Sequence, residues 1–266
     1  MLVNTRKIEA GFTLIEIAVV LVIVSLLLGS FITSLSSRIE STRRNDTIKQ
    51  LEDIKSAILG FASAQGRLPC PATTTGLGLE QPVGGTVCTT QHGFVPSVTL
   101  GLSGSYNRDI LLTDSWGNPY RYSVTPSNAN AFTTPVGPGG IQNVGMGALA
   151  PNLVVCNGFS TAGNACAGGA TALANSVPFV IMSLGQDGNF SAGAVAPLTN
   201  QGENSGEILV VANPAGENIA YTVGNNLVFA KMSYSSAGSA IGVFDDMLVW
   251  VSSFELYSRM IEAGQL

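Results

Sequence analysis

The chain is poor in charge and almost without histidine. Only 11% of its 266 residues are charged, and His92 is its single histidine. One imidazole excludes the two-histidine metal motifs, and no C-x-x-C pair supplies thiolates in their place. No G-x-S-x-G elbow, P-loop or H-E-x-x-H helix occurs, so the signatures of activated serine, phosphate cradle and metallopeptidase are all missing. A distant Ser and Asp could be joined to His92 on paper, but such a trio exists in nearly any chain. His92 reads as a loop histidine, and the chain as no enzyme. A formal net charge of −5 argues against wholesale nucleic-acid binding. No fixed-period repeat is evident. Proline is missing from Phe31 to Ala64, which leaves that stretch free to be helical.

What the chain does have is one long apolar run. Gly11 to Gly29 reads GFTLIEIAVVLVIVSLLLG, behind a short leader that contains Arg6 and Lys7. About 20 such residues suffice to cross a bilayer as one helix. Inside the run stands a single charge, Glu16, and a carboxylate at bilayer depth costs roughly 2.5–3.5 kcal/mol or more. A secretory signal peptide would have a core of about 7–15 residues and an A-x-A-like site, and SFITSLSSRIE, which follows, offers none. In a plain signal anchor Glu16 would be incidental, snorkelling to the headgroups from its place near the helix start.

A third reading comes from resemblance. Gly11, Phe12, Thr13, Leu14, Ile15 and Glu16, followed by an unbroken apolar helix, resemble the class III signal of type IV pilins and type II secretion pseudopilins. The resemblance implies cleavage by a prepilin peptidase between Gly11 and Phe12 on the cytoplasmic side, then N-methylation of Phe12. Glu16 falls at the family's fifth mature position. Cleavage would leave an α-amine on Phe12, largely cationic with a reference pKa of roughly 7.7–8.0. In the family such an amine pairs with the glutamate of a neighbouring subunit during filament assembly. The implied partners are the prepilin peptidase, other pilin or pseudopilin subunits and the inner-membrane assembly platform. The implied location is the inner membrane, single-pass with the domain in the periplasm, and then the filament.

Charge alone does not give that orientation. Arg38, Arg43 and Arg44 follow the run whereas Arg6 and Lys7 precede it, so the positive-inside rule would not place the C-terminal side outside. The cysteines bear on the same question. Cys70, Cys88, Cys156 and Cys166 all lie beyond the run, and four cysteines allow three connectivities. The local pairing, Cys70–Cys88 with Cys156–Cys166, closes the shortest loops; four free buried thiols are the alternative. Disulfides would put the domain outside the cytoplasm.

The organisation expected is α+β and pilin-like: a leader over 1–11, a transmembrane and assembly helix over 12–31, an amphipathic continuation over 32–65 and a β-rich domain over 66–266. Leu35 and Ile39, then Ile48, Leu51, Ile54 and Ile58, recur at helical spacing and form a stripe that packs on something. The polar stretch from Glu40 to Thr47 marks the exit from lipid, and Gly66 with Pro69 gives the stop. A helix of about 50 residues would run roughly 75 Å. Expected strands are Ile110–Thr113, Tyr120–Val124, Phe179–Leu184, Ile208–Val211, Leu227–Lys231 and Met247–Ser252, forming an antiparallel sheet with long loops. Gly76–Gly85 and Asn128–Gly147 read as loops without a core of their own. Ser252-Ser253-Phe254-Glu255 has the form of a capping box that opens a helix through Met260 and Ile261.

Two further stretches resemble the major pseudopilin of type II secretion. Asp114-Ser115-Trp116-Gly117-Asn118-Pro119-Tyr120 is similar to its D-x-W-G-N-P-Y motif, and reads physically as a turn leading into a strand. Ser183-Leu184-Gly185-Gln186-Asp187-Gly188, with the later Asp245-Asp246 ahead of Trp250, is similar to its calcium loop. The resemblance implies Ca2+ held by the Asp187 and Asp246 carboxylates and the Leu184 carbonyl, oxygen ligands that suit a hard cation. No other cofactor is implied. The alternative is that Asp187-Gly188 is only a turn. The function expected is that of a structural filament subunit, minor or specialised. A filament-displayed adhesin or DNA-uptake component is the alternative, as is an anchored periplasmic domain that never polymerises.

Overall fold

The computed structural model describes residues 13–158, 166, 169–186, 227–234 and 244–266, with backbone alone for 27–36. The leader, Gly11, Phe12, Asp187 and the strand expected at Ile208–Val211 lie outside the described residues.

Helix α1 runs from Leu14 to Gln65, 52 residues without a break. It stops where Gly66 takes a φ of +68°, a conformation only glycine adopts cheaply, and the Gly66 N–H caps the Ala62 carbonyl at 2.9 Å. Among the described residues no helix is long and apolar enough to cross a membrane. The side chains described in the first part of α1 end at Leu26 and resume at Ser37, so the span expected over 12–31 is covered only in part. The chain divides into two compact units, 1–44 and 45–266, and the domain proper is the second.

That domain is layered around a four-stranded antiparallel sheet of order β1-β4-β7-β9: β1 His92–Phe94, β4 Arg121–Val124, β7 Phe179–Ser183 and β9 Met247–Trp250. Successive residues of β7 serve opposite faces. Phe179 and Ile181 join one core with Leu51, Ile54 and Ile58 of α1; Val180 and Met182 join a second with Leu153, Val155 and Phe229. A strand covered on both sides is apolar throughout, which is why β7 reads as a continuous apolar run rather than an alternating one. The first layer holds residues 45–65 of α1, where Leu51, Ile54, Ile58 and Ala62 are wholly buried. Each large aliphatic there contributes roughly 1.5–3 kcal/mol. Ile48, expected in the same stripe, is exposed, and Thr47 is buried in its stead.

The second layer is a three-stranded sheet of order β6-β5-β8: β5 Leu153–Cys156, β6 Ala172–Val177 and β8 Val228–Ala230. The four-stranded sheet is antiparallel as expected; in this second sheet β5 also pairs with β8 in parallel, Val154 opposite Val228. A short hairpin joins β2 Ser105–Tyr106 to β3 Leu112–Thr113. The segment 128–147, expected to lack a core, lends Phe132 and Ile141 to the first core through a turn and the short helix α2, Ile141–Val144.

Helix α3, Ser253–Glu262, closes the first layer with Leu256, Tyr257 and Met260. Its cap is the expected one: Ser252 Oγ accepts the Glu255 N–H at 3.2 Å. The Glu255 carboxylate pairs with Lys55 of α1 at 3.2 Å. The four cysteines form two disulfides, Cys70–Cys88 and Cys156–Cys166, with Cα separations of 5.3 and 5.7 Å. Glu80, within the Cys70–Cys88 loop, forms a buried ion pair with Arg67 just before it. Arg67 grips Glu80 with two bonds of 2.8 and 2.7 Å, and Glu80 also accepts the amides of Cys70 and Gly84, each at 3.1 Å.

Candidate functional site

The first described turn of α1 holds Glu16. Thr13 stands one residue before the helix as its N-cap. Its hydroxyl accepts the Glu16 N–H at 3.3 Å, and the Glu16 carboxylate accepts the Thr13 N–H at 3.5 Å. This is a reciprocal capping box, T-x-x-E, which satisfies two of the amides that every helix start leaves without partners. Glu16 therefore has an electrostatic reason for its place that does not depend on cleavage. A carboxylate is stabilised at the positive end of a helix and makes a charge-assisted bond there. The signal was present in the sequence at Thr13-Leu14-Ile15-Glu16, in the same form as at Ser252–Glu255.

The second cluster gathers three separate motifs. In the turn from Asp114 to Tyr120, Asp114 Oδ1 accepts the amides of Trp116 and Asn118, both at 2.9 Å. Its Oδ2 accepts the hydroxyl of Ser183, at the end of β7, at 2.5 Å. The Asn118 side chain donates to the Gly185 carbonyl at 2.7 Å. The neighbouring Ser115 accepts from the hydroxyl of Thr47, on α1, at 3.1 Å. One turn thus ties the helix, the sheet and the loop after β7. Burial raises the Asp114 pKa from its ordinary value, against the opposing pull of its bonds from Ser183, Asn118, Trp116 and Gly117.

The loop after β7 closes on the residues before β9. Gln186 N–H donates to Asp245 Oδ2 at 2.5 Å. At Gly185, φ +66°, a Cβ would stand 2.5 Å from the same oxygen, so only glycine fits. Asp245, whose role the sequence left open, is therefore the carboxylate that meets this turn; Asp246 is buried beside it. Among the described residues no three His, Cys, Asp or Glu side chains group to hold a metal. Leu184 and Asp246 are described, and Asp187 is not.

His92 is no loop residue. It lies in β1, buried, with Nδ1 2.9 Å from Ser123 Oγ. Burial without a charged partner lowers its pKa from 6.5 to about 4, so it is neutral near pH 7 and part of the packing. The strand left no signal in the sequence because three residues carry no readable period.

Residues 6–32 match the family model of the prokaryotic N-terminal methylation motif, the class III signal of type IV pilins and pseudopilins. No curated protein and no solved structure matches the chain.

Proposed function

We propose that this chain is a structural subunit, minor or specialised, of a type IV pilus or type II secretion pseudopilus. The observation that carries this reading is the methylation motif over residues 6–32, with Glu16 in the first turn of a long continuous helix. A prepilin peptidase cuts between Gly11 and Phe12 and methylates Phe12. The subunit waits in the inner membrane with its disulfide-bonded domain in the periplasm, engages the assembly platform and joins sister subunits through its N-terminal helix. Two disulfides support a compartment outside the cytoplasm. Packing against sister helices would replace lipid contacts by protein contacts.

Mass spectrometry of the mature N-terminus tests the reading. A chain beginning at methylated Phe12 is the expected result. An intact Gly11–Phe12 bond would overturn it in favour of an anchored domain that never polymerises. Glu16→Ala is expected to insert and be cleaved but not to enter filaments. Display of a ligand-binding surface on the filament is compatible with the same assembly.

Calcium at Leu184, Asp187 and Asp246 is a second reading. The bond from Gln186, which precedes Asp187, to Asp245 supports it, because it brings the two halves of the motif together. Those residues would supply oxygen ligands suited to Ca2+, joining the loop after β7 to the residues before β9. A melting temperature that rises with Ca2+ in the native chain and not in Asp187→Ala is expected; melting indifferent to Ca2+ would end the idea.

A further inference from the structure

We propose that Arg38, Arg43 and Arg44 form a basic collar that binds the phosphates of anionic phospholipids where α1 leaves the membrane on its C-terminal side. The inference rests on the membrane anchoring proposed above. Between Glu16 and Arg38 no residue is charged. Helix α1 is continuous across that interval, so the two charges stand about 33 Å apart along its axis. The hydrocarbon of a bilayer is about 30 Å thick. With Glu16 at one boundary, Arg38 falls at the other. Arg43 and Arg44 follow about 8 and 9 Å further out, within about one Debye length of the lipid phosphates.

Three of the chain's 12 lysines and arginines fall between positions 38 and 44, against one acid, Glu40. The chain as a whole is net negative, so the cluster is a local reversal of sign. Arg38 and Arg43 are exposed, and Arg44 is half-buried. Among the described residues the guanidiniums of Arg38 and Arg43 make no ion pair. Their angular spread points to the partner. At about 100° per residue, Arg43 stands about 140° around the helix from Arg38, and Arg44 about 100° further. A protein docked on α1 would meet charge on one face. Charge on every side suits a medium that surrounds the helix, and a guanidinium fork matches phosphate oxygens. Ile39 is exposed among them, an apolar side chain that the same boundary would cover. On the side proposed to be exported, these arginines run against the positive-inside rule. Headgroup binding gives that position a function: it fixes the depth at which α1 sits.

Three full-length chains test this in phosphatidylcholine vesicles: the native chain, a triple variant Arg38→Gln, Arg43→Gln and Arg44→Gln, and a triple variant Arg38→Lys, Arg43→Lys and Arg44→Lys. Glutamine and lysine both favour the helix, so circular dichroism and melting temperature are expected to match the native chain. Spin-labelled phosphatidylglycerol or phosphatidylcholine is added as a trace, and electron paramagnetic resonance reads the fraction held at the protein. Arg6 and Lys7 are common to all three chains, so a difference between them belongs to the collar. The native chain is expected to prefer the anionic lipid about threefold, the lysine variant to keep that preference, and the glutamine variant to lose at least about half of it. High salt should lower the preference of the native chain as well. A glutamine variant as selective as the native chain would overturn the proposal, as would a lysine variant no better than glutamine. Unchanged selectivity beside loss of the glutamine variant from sheared filaments would overturn it in favour of a subunit contact. Release of the native chain from cell membranes by alkaline carbonate would remove the anchoring itself, whereas retention there with equal selectivity in all three chains removes only the collar.

Discussion

Asp114 and Ser183, 69 residues apart in sequence, meet through a buried hydrogen bond of 2.5 Å that joins a turn to the end of the central strand β7. Asp114→Ala would leave the amides of Trp116 and Asn118 and the Ser183 hydroxyl without their acceptor. A loss of about 2–3 kcal/mol is expected from urea unfolding. Asp114→Asn keeps an acceptor for the amides and a donor towards Ser183, and should cost far less.

The raised Asp114 pKa also has a sign. The folded state holds this proton more tightly than the unfolded chain, so its contribution to stability is present at low pH and declines as pH rises from the ordinary carboxylate value through the raised one. The comparison of native chain and Asp114→Asn across pH 3 to 7 should show that declining component in the native chain alone. Parallel curves would assign the pH dependence to other groups.

His92 acts in the opposite direction. Its folded value of about 4 lies below the reference 6.5, so the unfolded chain binds the proton first. The stability from this residue is complete above about pH 6.5 and is lost as pH falls toward 4, by on the order of 3 kcal/mol. His92→Gln should flatten the unfolding free energy in that window. A slope unchanged by the substitution would mean that another group titrates there.

Glu80 is expected to be the most sensitive acidic residue of the domain. Its removal strands the Arg67 guanidinium, whose side chain is 6% exposed, and frees the amides of Cys70 and Gly84. Glu80→Ala should cost about 3–5 kcal/mol, the range for breaking a buried pair from one side. Reducing the Cys70–Cys88 disulfide, which encloses Glu80, should cost about 3 kcal/mol through loop entropy. Chemical unfolding with and without reductant measures both, and their effects should be non-additive because the two devices hold one loop.

Much of the central architecture was readable because burial leaves a pattern. Leu51, Ile54 and Ile58 lie at helical spacing, β7, β8 and β9 are apolar runs, and β4 follows the Gly117-Asn118-Pro119 turn. Ile110 lies outside the strand expected at Ile110–Thr113, which starts only at Leu112; its φ of +58° belongs to the Asn107 turn before it. β6, Ala-Leu-Ala-Asn-Ser-Val, lies at a sheet edge with most of its side chains exposed, so no apolar face was there to read. Thr47 looks like a polar interruption of the helix stripe until Ser115 arrives from the turn. The contact of Asp245 with the Gln186 amide depends in the same way on a partner 59 residues away. Polar clusters are specified by partners distant in sequence, which leave no period in a single segment.

Helix α3 covers α1 from far along the chain: Ser63 Oγ reaches the Arg259 carbonyl across 196 residues, and Gln265 reaches the Ala64 carbonyl across 201. A polypeptide threaded through a membrane from its N-terminal side delivers Leu51, Ile54 and Ile58 long before Val251, Leu256 and Met260 arrive to bury them. On the export route proposed above, the first core would stay open until Val251, Leu256 and Met260 arrive. Until then the apolar stripe of α1 would lack the cover that α3 supplies, and a chain cut short of Leu256 would leave that stripe exposed.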